Sequence, residues 1–414
     1  MPDDSDEHSN KPAAGEARES NAADSENATE RDVLERASAD APLAAVVNKP
    51  RSETAIESLR VEGVYDDSRR VREDGPERVA LPVTEPPTET RVREVVRQLE
   101  PEPRSPDLED RLIERGWSET DLESAPGSWA VIGSVVLVSV PENCPDETEL
   151  AEALLDLHGE ADSVLADEGI ANDGPAGTHR EPRTRLLAGE SDTETIHAEH
   201  DTRYGLDPSK VMFSPGNQAE RARMGEIVST SSGSEDGASG SNGAESVEHV
   251  FDMFAGIGYF TLPMARAGAR VTATEINPTA FRYLLENAML NDVADRVDAY
   301  MTDCRDLASE VDADRVVMGY YGSSEAEDDT AASERTDEAH EFLADALDAL
   351  VPGGVIHYHE ATPESRLWDR PLERLERASD DAGRDVEILE TRRVKSHSAG
   401  VSHVVVDARF DQPP

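Results

Sequence analysis

Residues whose types and spacing could do chemistry concentrate between positions 249 and 278, HVFDMFAGIGYFTLPMARAGARVTATEINP. An apolar run ends at Asp252, followed by the loop Phe254-Ala255-Gly256-Ile257-Gly258 and a helical pattern from Tyr259. Gly256 and Gly258 let the backbone turn sharply and approach a ligand with no Cβ in the way. In an open α/β sheet that ligand sits outside the carboxyl ends of the strands. A glycine-rich turn is a weak signal alone, because strands also use one for a tight exit. Glu275 strengthens it. It ends the next apolar run, 17 residues after Gly258, where a carboxylate accepts hydrogen bonds from both ribose hydroxyls. Asp303, after the third run, is placed to accept from an adenine amine. Three carboxylates around one pocket also suit a ligand with a sulfonium and an ammonium group. The loop is not the G-x-G-x-x-G of dinucleotide enzymes, so S-adenosylmethionine fits better than NAD.

The elements around these residues alternate. Strands are expected at 248–253, 270–275, 297–301, 314–318, 353–359, 386–394 and 401–409, and helices at 259–268, 277–291, 337–350 and 366–382. Such alternation implies an α/β domain, a doubly wound parallel sheet over 247–411. Two low-complexity stretches, 229–246 and 323–338, have no apolar content to bury and read as disordered insertions. Residues 1–40 read as a disordered acidic tail. A small N-terminal domain is expected at 41–86, with the strands AAVVNKP and RVALPV around an amphipathic helix, then a Pro- and charge-rich linker at 87–104. A middle α+β domain follows at 105–228, with one strand WAVIGSVVLVSV (129–140) and a helix at 149–159. No internal repeat is present.

Composition bounds the rest. The chain has 414 residues, 89 acidic against 40 basic, a net charge of −49, 37% hydrophobic and 4% aromatic. No apolar run reaches the ~18 residues of a spanning helix, and the acidic N-terminus is neither a secretory signal nor a transit peptide. A soluble cytoplasmic protein with no membrane partner is expected. Cys144 and Cys304 supply neither a disulfide scaffold nor a four-thiolate zinc site. Lys11, Lys49, Lys210 and Lys395 are the only lysines among the basic residues. That bias is expected of a chain adapted to molar salt, where the Debye length is about 3 Å and self-repulsion is screened. At such salt net acidity says little about a nucleic-acid partner.

Several residues have plainer readings. Asn277-Pro278 caps the helix after it. His357 and His359 share one face of a strand but lack a third metal ligand, so packing or hydrogen bonding is expected and no metal. Glu360 falls near the strand end, its role open. Cys304 reads as a small packing residue. Arg392, Arg393 and Lys395, and Arg180, Arg183 and Arg185, form two basic clusters suited to phosphate or to solvated surface.

DMFAGIGYFTLPMA and ATEINPTAFRYLLENAMLN resemble the archaeal and eukaryotic family that modifies guanosine 37 of tRNA. It comprises guanine-N1 methyltransferases and the aminocarboxypropyltransferases of wybutosine synthesis. MFSPGNQAERARMGE (212–226) resembles the family's segment before the catalytic domain, VKSHSAGVSHVVVDARF (394–410) its C-terminal strand pair, and KPRSETAIESLRVEGVYD (49–66) its N-terminal domain. The resemblance implies a Rossmann-like class I S-adenosylmethionine-dependent transferase domain, preceded by a small tRNA-recognition domain and the α+β middle domain. It implies tRNA as partner, specifically the anticodon loop of phenylalanine tRNA; the sequence leaves the oligomeric state open, and a monomer is the default expectation. By resemblance Ser214, Arg221, Asp303 and Cys304 join Asp252, Gly256, Gly258 and Glu275 as cofactor contacts, with Arg221 pairing with the cofactor carboxylate. No general base can be named.

The two branches of the family differ at the end of the fourth strand. The methyltransferases carry Asn-x-Pro there, whereas this chain has Gly319-Tyr320-Tyr321. VVMGY, GGVIHYHEATPE (353–364) and SPGN (214–217) resemble the aminocarboxypropyl branch. The resemblance therefore implies transfer of the 3-amino-3-carboxypropyl group to C7 of 4-demethylwyosine-37, with N1-methylation of guanosine 37 as the alternative.

Overall fold

The computed structural model describes residues 41–231, 247–320, 339–398 and 400–412. The expected acidic tail, Tyr321, the stretch 323–338 and most of the stretch 229–246 lie outside them. Residues 229–231, at the start of that last stretch, end the helix Gln218–Ser231.

The chain divides into a unit ending at Pro106 and a second starting at Asp107. In the first, β1 (Leu43–Asn48), β2 (Arg72–Glu73), β3 (Arg78–Val83) and β4 (Glu94–Arg97) form an antiparallel sheet in the order β2-β3-β1-β4. The helix Ser52–Glu62 buries Ala55 and Leu59 and ends on Gly63 in the left-handed conformation. β4 falls inside the stretch expected as a linker. Four residues between prolines show no usable period, yet they complete the sheet along β1.

In the second unit the helices Leu108–Glu114 and Glu119–Leu122 precede β5 (Ala130–Ile132), β6 (Val135–Val138), β7 (Ser163–Ile170) and β8 (Pro182–Gly189). The expected single strand 129–140 is a hairpin, β5 and β6, turning at Gly133-Ser134. The helix Glu147–Leu157 carries the chain from β6 to the parallel β7 and buries Leu150 and Leu154 against Val136 and Val164. A second hairpin, β9 (Thr195–Glu199) and β10 (Thr202–Leu206), leads to the helix Gln218–Ser231.

The large sheet has seven strands: β11 (His249–Asp252), β12 (Arg270–Thr274), β13 (Val297–Tyr300), β14 (Ala313–Met318), β15 (Leu350–Pro363), β16 (Asp385–Ser398) and β17 (Val401–Asp411), in the order β13-β12-β11-β14-β15-β17-β16. β13 through β15 are parallel, as the alternation implies. β17 departs from the expected parallel sheet: it lies antiparallel between β15 and β16. Only Ala399 and Gly400 separate β16 from β17, too short a connection for a parallel crossover. One face packs on Tyr204, Phe213, Met224, Leu262 and Leu284, the other on Phe342, Leu347 and Leu375. No helix among the described residues is long and apolar enough to cross a membrane.

Candidate cofactor and base-binding site

Asp252 closes β11 and is fully buried. Its Oδ2 accepts a hydrogen bond from Thr261 Oγ1 at 2.6 Å; Oδ1 has no partner at full hydrogen-bond geometry among the described residues, with the backbone N–H groups of Phe254 and Thr261 the nearest backbone donors to the carboxyl. Burial pushes the carboxyl up to about 6, against the pull of the Thr261 hydroxyl. An orphaned buried oxygen costs on the order of 1–3 kcal/mol, and this one opens the glycine loop. The residues present thus fit a ligand with a cationic or N–H donor.

Gly256 and Gly258 have φ of +58° and +102°. A Cβ would come within 2.4 Å of the Tyr259 ring at Gly256 and within 2.8 Å of Leu262 at Gly258. The loop is tied across to β12 by Ala255 N–H to Thr274 O (3.0 Å) and Thr274 Oγ1 to Met253 O (2.9 Å). Glu275 Oε2 accepts from Gly256 N–H (2.8 Å) and Oε1 from Asn277 N–H (2.6 Å). Burial nonetheless raises its pKa. Each oxygen keeps a further lone pair for a ribose hydroxyl. Asn277 Oδ1 accepts from Thr279 and Ala280 N–H, capping the helix Pro278–Leu290 as its sequence implies.

Asp303 caps the short helix Cys304–Leu307 and pairs with the guanidinium of Arg305 at 2.6 and 2.9 Å, which holds its carboxyl below the usual range. Cys304 is buried in the apolar cluster that includes Phe251 and Met318, and burial pushes its thiol up.

Arg221, expected to pair with the cofactor carboxylate, is held in place by protein groups. Its Nε and one terminal nitrogen bond Glu199 at 2.8 and 2.7 Å, and the other bonds Ser214 O at 3.0 Å. Arg221 is 3% exposed, and three of its five N–H donors go to Glu199 and to the backbone of the loop carrying Ser214. Ser214 Oγ accepts from Lys395 Nζ at 2.6 Å.

At the end of β14, Tyr320 stacks on Phe254 (5.1 Å between centroids, 27° between planes), and Phe342 meets both rings edge-on. Arg180 lies over the outer region of this cluster, 5.4 Å from the Tyr320 centroid. Asn277 Nδ2 donates to His179 O at 3.3 Å. The middle segment therefore reaches the carboxyl ends of the catalytic strands. Arg185 pairs instead with Glu147 and Glu168.

The remaining candidates are structural. His357 Nδ1 donates to Asp407 at 2.6 Å, and its Nε2 accepts from Arg315 at 2.5 Å. Arg392 joins Asp407 to Glu220. This buried chain of charges clamps the helix Gln218–Ser231 to the sheet. His359 Nδ1 bonds His403 Nε2 at 3.0 Å and packs on Phe260. Glu360 pairs with Arg370 and Arg374. No cluster suited to a metal occurs among the described residues.

Sequence reasoning missed Asn287 and Asn291, whose i, i+4 spacing puts both amides on one helix face. Asn287 bonds the Gly205 N–H and carbonyl (2.7 and 3.0 Å) and Ile257 O (3.0 Å); Asn291 bonds both backbone groups of Arg203. They pin β10 and the glycine loop to one helix.

Comparison with known proteins agrees with this geometry. Residues 195–389 match the TRM5/TYW2 methyltransferase domain and residues 108–193 the TYW2 N-terminal domain. The chain is 38% identical over 300 residues to the tRNA(Phe) (4-demethylwyosine(37)-C(7)) aminocarboxypropyltransferase of Pyrococcus horikoshii, covering 72% of this chain and 94% of that protein. It is 33% identical over 288 residues to the tRNA (guanine(37)-N(1))-methyltransferase Trm5b of Pyrococcus abyssi, covering 69% and 75%. Among solved structures, wild-type Trm5b from Pyrococcus abyssi aligns with a TM-score of 0.61 at 30% identity, over 89% of this chain and 99% of that one. TYW2 of P. horikoshii in complex with MeSAdo aligns with a TM-score of 0.56 at 34% identity, over 73% and 97%. A site built at the carboxyl ends of β11, β12 and β14, on a chain matched over nearly the whole of such a relative, places this protein in the TRM5/TYW2 family.

Proposed function

We propose that the protein transfers the 3-amino-3-carboxypropyl group of S-adenosylmethionine to C7 of 4-demethylwyosine at position 37 of tRNA(Phe). The observation that carries this reading is the end of β14, where Gly319-Tyr320 stands in place of Asn-x-Pro and Tyr320 joins an aromatic cluster. When bound, the sulfonium supplies three electrophilic carbons, and the one held in line with the nucleophile is transferred. The chain's own part is positioning. Glu275 accepts from the ribose, Asp303 from the adenine, and the glycine loop lets the backbone approach. Asp252 offers its free oxygen, Ser214 lines the arm, and Arg221 fixes the Ser214 carbonyl. Cys304 contributes packing beneath Asp303. Tyr320, stacked on Phe254 and covered by Arg180, forms an aromatic wall at the end of β14 against which the tricyclic base is held. The substrate segment is the anticodon loop, and the enzyme acts as a cytoplasmic monomer.

Mass spectrometry in molar salt tests this, with S-adenosylmethionine and tRNA carrying either base at position 37. A gain of about 101 Da on the tricycle, with methylthioadenosine released, is expected. A gain of about 14 Da on guanosine 37 would instead make the enzyme a methyltransferase.

A further inference from the structure

Lys395 lies near the carboxyl end of β16. β17 is antiparallel to both β15 and β16, so β16 ends on the same side of the sheet as the glycine loop and Glu275. Its ammonium donates to Ser214 Oγ at 2.6 Å, and no carboxylate among the described residues pairs with it. The other two described lysines are paired, Lys49 with Glu73 and Lys210 with Asp207. The neighbouring cations each have an acidic partner: Arg392 has Glu220 and Asp407, Arg393 has Glu364, and Arg221 has Glu199.

The surroundings of this ammonium are built. Ser214 is held through its carbonyl by Arg221. A Cβ on Gly216 would fall 3.1 Å from Lys395 Cδ, so glycine leaves room for the lysine stem. Across the strand pair Lys395 is in register with His403, and the partner of its ammonium among the described residues is the Ser214 hydroxyl and not an acid. In a chain of net charge −49, a half-buried ammonium held toward the site without a carboxylate is an anion receptor. A serine that accepts from the ammonium keeps its own proton to donate to the same anion.

We propose that Lys395, with Ser214 Oγ, binds the α-carboxylate of the donor's amino-acid arm and so sets which carbon faces the nucleophile. The selection of the carbon rests on the aminocarboxypropyl reading above; the carboxylate contact does not.

The test is calorimetry on the full chain without tRNA, comparing S-adenosylmethionine with methylthioadenosine, which lacks the arm. Lys395→Met is expected to weaken S-adenosylmethionine on the order of 10- to 100-fold, the size of a charge-assisted bond. Methylthioadenosine affinity should stay unchanged, which also shows the variant folded, and Lys395→Arg should recover most of the loss. An equal loss on both ligands, or none on either, overturns the proposal. So does unchanged S-adenosylmethionine affinity with weakened tRNA binding in a separate titration of the same variant, which would assign the ammonium to a phosphodiester. A selective loss together with a methylated product would sink the transfer reading and leave the carboxylate site standing.

Discussion

Asp252 carries the clearest electrostatic consequence at the scale of single residues. Its folded pKa of about 6 lies above the ordinary 3.8, so the folded state holds the proton more tightly than the unfolded one. Its contribution to stability is complete below pH ~4 and is lost as pH rises through about 6. Asp252→Asn removes that loss. Its melting temperature relative to the native chain should rise from pH 4 to pH 7, while affinity for S-adenosylmethionine falls at every pH. A flat difference between the two melting curves would refute the assignment. Tyr320 is open to a kinetic test: Tyr320→Ala should lower kcat/KM on the tricyclic base about 10- to 100-fold, the size of one lost stacking contact. Calorimetric affinity for S-adenosylmethionine should not change.

At the scale of elements, Asn287 matters most. It satisfies both backbone groups of Gly205 and the carbonyl of Ile257 from one helix face. Asn287→Ala strands these buried groups, at about 1–3 kcal/mol each. Chemical denaturation should show a loss of several kcal/mol, far above that of an exposed alanine substitution on the same helix such as Glu286→Ala. The asparagines illustrate what the sequence could convey. The strands of the large sheet, the glycine loop and the Asn277 cap were legible because each is a local pattern: period, turn residue, cap. The wedged β17, the β5–β6 hairpin and β4 were not, because strand direction and pairing depend on residues distant in the chain. The site divides the same way. Glu275 follows from its spacing to Gly258, whereas the bond from Lys395 to Ser214 spans 181 positions. The Glu199 that occupies Arg221 belongs to a hairpin with no motif of its own.

For the whole molecule the dominant quantity is the net charge of −49. Self-repulsion at that density is relieved as the Debye length shrinks from ~10 Å at 0.1 M to ~3 Å at 1 M. Thermal unfolding should therefore shift upward over that range of sodium chloride, and a chain insensitive to salt would contradict the account. The order of strands adds a temporal consequence. β17 fills the gap between β15 and β16, and its residues are almost all buried. During synthesis, β11 through β15 emerge and can pair while that slot stands open. β15 then presents a long unpaired edge until residue 411 clears the ribosome, and such edges invite intermolecular pairing. The nascent chain is thus most prone to aggregate between the emergence of β15 and that of β17, and a stalled chain ending near residue 400 is the form a chaperone would have to hold.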